Sequence, residues 1–168
     1  MARYRRYFVP NASVFLTVVT AGRRPLFNNA DNIASVFAIF RNVKLLHPFT
    51  MKAWVVMPDH LHLLIHTIDG RFDRVMHSFK RQVAAHFRDR GMGGGDIWQK
   101  RYYDHVVRDD RDFFNHLDYI HFNPVHHGIA TRPGDFVSSS FHHYVARGWY
   151  ASDWGSMTPD HIKSMNVE

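Results

Sequence analysis

Between Thr50 and Thr67 the sequence leaves little choice of structure. Two apolar runs, Thr50–Met57 and His60–Thr67, flank Pro58-Asp59, a dipeptide that favours a turn. The pattern predicts a β-hairpin. In the second run Leu61, Leu63 and Ile65 alternate with His60, His62, Leu64 and His66. Side chains alternate across a strand, so the first row faces a core and the histidines share the opposite face.

The segments around this hairpin extend the pattern. Ser13–Ala21 is rich in β-branched residues, ends at Gly22 and predicts a strand. Asp31 or Asn32 is placed to cap a helix through Ile33, Val36, Phe37, Phe40 and Leu45, stopped by His47-Pro48. Arg71–Arg90 carries Phe72, Val75, Met76, Phe79, Val83 and Phe87 at helical spacing, with Arg71, Arg74, Lys80, Arg81 and Arg88 among the rest. Gly91–Gly95 breaks that helix. A fourth strand is expected near Tyr103–Arg108. A helix is expected over Asp109–Phe122, with acids in its first turn and Asn123-Pro124 as its stop. Beyond His126 the periodicity is weak and reads as loop with room for a short helix.

The order is βαββαβ plus one helix. That predicts an α+β, ferredoxin-like fold with one antiparallel sheet, two helices on one face and an added C-terminal helix. At 168 residues the chain suits one domain. It divides into a basic arm (1–10), a core (11–126) and a C-terminal extension (127–168).

Cysteine is absent, which excludes disulfides, zinc fingers and thiol nucleophiles and fits a cytoplasmic setting. Lys and Arg number 21 against 15 Asp and Glu, a net charge of +6. A basic surplus suits a polyanion, though it also serves solubility alone. No apolar run approaches the ~20 residues that span a bilayer. The charged N-terminus lacks the apolar stretch of a signal peptide.

Two segments carry chemistry. His60 and His62, two residues apart on one strand face, are placed to converge on a divalent ion, for which imidazole is a common ligand. The same pattern also describes a face that merely holds histidines. On the last helix Tyr119 and Asn123 lie four apart and share a face. A phenol that attacks a phosphodiester forms a covalent intermediate, and Asn123 offers a neutral oxygen beside the two imidazoles. A buried, hydrogen-bonded tyrosine fits the same spacing.

These residues resemble a known family. Met57–Leu64 looks like the HUH motif (His, bulky apolar, His) of single-tyrosine transposases. Ile97–Asp109 is similar to the W-Q-x-R-[FY]-x-[DE]-H-x-[IV]-R block of the branch associated with repetitive extragenic palindromic (REP) elements, the REP-associated tyrosine transposases. Leu117–Gly128 resembles its D-Y-I-x-x-N-P-V block, and Ser139–His142 the S-[ST]-[FY] segment that follows.

The resemblance implies a ferredoxin-like core with a nucleophile-bearing helix. It implies that Tyr119 attacks single-stranded DNA to form a 5′-phosphotyrosine, that a 3′-OH reverses the step, and that His60 and His62 hold Mg2+ or Mn2+. Asn123 stands where relatives place a polar third ligand, often Gln in the insertion-sequence branch. The implied partners are REP-type DNA hairpins with a flanking tetranucleotide, engaged by a monomer or homodimer.

Residue type nominates the DNA contacts: Tyr4, Arg5, Arg6 and Tyr7 in the arm, then Arg23, Arg24, Lys80, Arg81, Trp98, Lys100 and Arg101. Trp98 suits a core position equally well. Two rival functions remain: a non-catalytic nucleic-acid-binding ferredoxin-like module, and an HUH nickase of the replication-initiator or relaxase type. A hydrolase that activates water with His60 and His62 is a further alternative.

Overall fold

The computed structural model of the protein describes residues 6–163 and Met165; the nominated Tyr4 and Arg5 lie outside the described residues. Four strands form one antiparallel sheet in the order β2-β3-β1-β4. They are β1 (Ala12–Val19), β2 (Thr50–Val56), β3 (His60–Thr67) and β4 (Tyr103–Val106). With α1 (Ala30–Leu46) between β1 and β2, and α2 (Phe72–Asp89) between β3 and β4, the expected βαββαβ core is present. The added helix is α3 (Asp110–His126).

Strand alternation sorts the sheet into two buried faces. Val14, Leu16 and Val18 of β1 join Leu61, Leu63 and Ile65 of β3 against Val36, Phe40 and Val43 of α1 and Val75, Phe79 and Val83 of α2. Phe15, Ala53, Val55 and Leu64 face the other way, onto Leu117, Tyr119, Ile120 and Phe122 of α3. The register pairs Thr17 with His62 and Phe15 with Leu64, so the histidine row lies under α3.

Two helix ends differ from expectation. Asn29, rather than Asp31 or Asn32, caps α1, accepting the Asn32 N–H at 2.9 Å from an extended backbone. Asn32 is buried instead, with Nδ2 donating to the Leu26 carbonyl. Pro124 does not stop α3, which continues to His126. Pro124 gives up the N–H that would reach the Ile120 carbonyl, a single intrahelical bond close to the helix end. Its carbonyl is satisfied by Ile129 N–H and Ala130 N–H.

The C-terminal extension is more ordered than its weak periodicity suggests. Val56 N–H donates to the Ser138 carbonyl and Ser140 N–H to the Trp54 carbonyl, which continues the sheet past its β2 edge. Two short helices follow, α4 (Phe141–Ala146) and α5 (Asp160–Lys163). Tyr144 and Ile162 are buried against α3.

Candidate active site

The hairpin and α3 meet at one point. His60 and His62 project from β3 toward α3, with ring centroids 4.9 Å apart. Tyr119 lies over His62, its ring centroid 5.2 Å away, edge on. Asn123, one turn further along α3, places Oδ1 3.2 Å from His60 Nε2. The spacing of four read from the sequence thus sets both α3 residues against both β3 histidines. His127 packs 5.0 Å from His60, and His126 packs 5.3 Å from His127 and 6.4 Å from Tyr119. Five rings therefore form a closed circuit, with Asn123 against one of them, His60.

Each β3 imidazole is oriented from behind. His60 Nδ1 lies 2.6 Å from Asp59 Oδ1, and His62 Nδ1 lies 2.9 Å from Thr17 Oγ1. With Nδ1 engaged in both rings, the nitrogen that would ligate an ion is Nε2. Burial alone would raise the Asp59 pKa, but hydrogen bonds and charge from His60 and Arg23 hold that carboxyl below its ordinary value. The site is enclosed: Tyr119 and His60 are each 2% exposed, and His62 and Asn123 are 0%. The histidine face is therefore no solvated surface.

A second group of ligating side chains lies nearby. Donor atoms of His105, Asp112 and His116 all lie within 4.8 Å of one another, so these residues could also hold a metal. Sequence spacing gave no sign of it, because His105 belongs to β4 and only Asp112 and His116 share a helical repeat. Asp112 Oδ2 also accepts from Arg108 N–H and Nε. Burial opposes ionisation of Asp112, yet Arg108 and His105 outweigh it and hold its carboxyl far below the usual range. Burial lowers the His116 pKa. The Phe15 ring separates the two groups, touching His62, Tyr119 and His116.

The nominated DNA contacts divide. Arg6, Lys80, Arg81 and Lys100 line a cavity of about 820 Å³ with Arg74, His77 and Tyr102. The Arg6 guanidinium stacks 4.1 Å above Tyr102 and pairs with Asp104 at 2.9 Å. Burial, then the charge of Arg6, lowers the Lys80 pKa. Tyr7 is 66% exposed, and Arg101 is exposed. Arg23 and Arg24 tie loops together: Arg23 Nη1 bonds Asp59 Oδ2 at 3.1 Å, and Arg24 Nη2 the Asp96 carbonyl at 2.6 Å. Trp98 takes the core position that the sequence also allowed: it packs against Phe27 and Phe79, is 7% exposed, and donates Nε1–H to the Lys80 carbonyl.

A family model described as "Transposase IS200 like" matches residues 8–123. The chain belongs to this transposase family. It is 36% identical over 160 residues to a REP-associated tyrosine transposase of Escherichia coli (strain K12), covering 95% of this chain and 94% of that protein. A Haemophilus influenzae relative is 33% identical over 171 residues, covering 95% and 96%. Among solved structures, a REP-associated tyrosine transposase bound to a REP hairpin superposes with a TM-score of 0.83 at 33% identity, covering 95% of this chain and 94% of that one. The similarity therefore places this IS200-like chain in the REP-associated tyrosine transposase branch. No helix among the described residues is long and apolar enough to cross a membrane.

Proposed function

We propose that this chain is a metal-dependent strand transferase that cuts and rejoins single-stranded DNA at REP-type hairpins through Tyr119. The observation that carries the reading is the meeting of Tyr119 with His62, and of Asn123 with His60, across the β3–α3 contact. The relative solved with a REP hairpin supports the choice of substrate.

The donor set fits a divalent ion. Two imidazoles, each held at Nδ1 by an oxygen, together with one amide oxygen, suit a divalent transition ion such as Mn2+ better than Mg2+, which prefers oxygen ligands. His60, His62 and Asn123 would hold the ion, which when bound polarises the phosphate and lowers the barrier to attack. The trio at His105 lies beyond Phe15, away from the phenol.

The Tyr119 hydroxyl is the nucleophile. A new bond forms between its oxygen and the phosphorus while the P–O3′ bond breaks. The phenolic proton is lost, and the leaving 3′-oxygen takes up a proton. The 5′ end stays on Tyr119 until a 3′-OH attacks the phosphotyrosine in the reverse sense, so the energy of the phosphodiester is conserved. With Tyr119 2% exposed, a phosphate reaches it only when covering side chains move aside. Arg6, Lys80, Arg81 and Lys100 form a basic groove for DNA phosphates.

The test uses 3′-labelled single-stranded DNA carrying the cognate hairpin and flank, with Mn2+ or Mg2+, on a denaturing protein gel. A labelled protein–DNA band is expected from the wild type. It should disappear with chelator, in Tyr119→Phe and in His62→Ala. Cleavage without a band would make water the nucleophile, and binding without cleavage would leave a non-catalytic module.

A further inference from the structure

The trio at the β4–α3 junction stands outside the proposed chemistry and has the makings of a site of its own. We propose that His105, Asp112 and His116 form a second cation site that takes a borderline transition ion, such as Zn2+ or Mn2+, and clamps β4 to the helix bearing Tyr119. This inference does not depend on strand transfer by Tyr119.

The donor chemistry sets the class of ion. Two imidazoles and one carboxylate suit borderline divalent metals, whereas Mg2+ and Ca2+ prefer all-oxygen sites. The donor spacing is already close to that of a coordination shell. Ligands ~2.1 Å from a tetrahedral ion stand roughly 3.4 Å apart. Here His105 Nε2 lies 2.8 Å from Asp112 Oδ2, and His116 Nδ1 lies 3.2 Å from Asp112 Oδ1.

The surroundings allow loading. The side chains of Asp112 and His116 are 8% and 5% exposed, while that of His105 is 24% exposed and gives a way in. An ion would replace two imidazole protons, that of His105 Nε2 now facing Asp112 Oδ2 and that of His116 Nδ1 now donated to the Asp112 main-chain carbonyl at 2.8 Å, each ring taking its other tautomer or releasing a proton. The Arg108 guanidinium, 3.1 Å from Asp112 Oδ2, would have to leave; its side chain is 74% exposed and can turn into solvent.

The position gives the site a role. Asp112, His116, Tyr119 and Asn123 follow one another at intervals of four, three and four, so they lie along one face of α3. Fixing the first two to β4 fixes the register of the last two over β3. The Phe15 ring, 4.7 Å from His116 and 6.0 Å from Tyr119, fills the space between.

The test uses the full chain with Zn2+ alone as the probe. Metal is counted after gel filtration, and melting temperature is recorded. In a His60→Ala/His62→Ala background the protein should keep one Zn2+ per chain and melt at a higher temperature with it. Adding His105→Gln should bring retention to none, with an unchanged far-ultraviolet dichroism spectrum showing that the fold survives. A background protein that keeps no Zn2+, or a bound ion that survives His105→Gln, would overturn the proposal. The wild-type count separates the two sites. One ion in both wild type and background would remove the ion from His60 and His62 while leaving this site standing.

Discussion

At the scale of single residues, the candidate site depends on what lies behind the ligands. Thr17 on β1 and Asp59 in the hairpin turn each hold one Nδ1, so the imidazoles are aimed before any ion arrives. Outer partners of this kind are worth about 10–100-fold in metal affinity. Thr17→Val keeps the shape and removes the oxygen. It should weaken Mn2+ binding by roughly that factor in calorimetric titration, with little change in fold. That His60 and His62 share one face was legible from the alternation in β3. Thr17 was not, because its role follows from cross-strand register with His62, which the sequence does not spell out.

At the scale of elements, α3 is held at two contacts. One is with β2 and β3, and the other is with the segment 138–140 that extends the sheet, together with α4. His121 lies at that second contact, its Nε2 2.8 Å from Ser140 Oγ, ringed by Phe141, Tyr144 and Tyr150. Burial pushes its pKa down to about 3. The unfolded chain binds a proton near pH 6.5 and the folded chain does not, so stability rises with pH across that window and falls on acidification. Between pH 7 and pH 5 this one histidine should cost about 2 kcal/mol. Urea unfolding at the two pH values checks it: His121→Gln should show a smaller loss than the wild type.

Periodicity carried most of this level. The βαββαβ order and the added helix all appear near their expected bounds, because apolar spacing and turn residues dictate them. The extension escaped it, since its order comes from pairing with β2 and from aromatic packing on α3, not from a local repeat. The end of α3 escaped for a different reason: Asn123-Pro124 reads as a stop, yet a last-turn proline is tolerated.

At the scale of the whole molecule, the positive surplus is distributed unevenly. Arg6, Arg74, Lys80, Arg81 and Lys100 line one cavity on the α2 side, while the candidate catalytic residues lie across the sheet under α3. The net charge alone did not reveal this division. If all five cations meet phosphates, the logarithm of affinity for single-stranded DNA should fall against the logarithm of salt with a slope of about −3.5, or ~0.7 per contact. Fluorescence anisotropy over a salt series measures it, and Lys100→Ala should flatten the slope by about 0.7. A slope near zero would remove the groove from DNA binding.

If Tyr119 carries the DNA, peptide mass spectrometry of the trapped adduct will find it there. After nuclease trimming and proteolysis, a 5′-linked nucleotide is expected on the peptide containing Tyr119. A nucleotide on Tyr102 or Tyr103, or an adduct that persists in Tyr119→Phe, would contradict it.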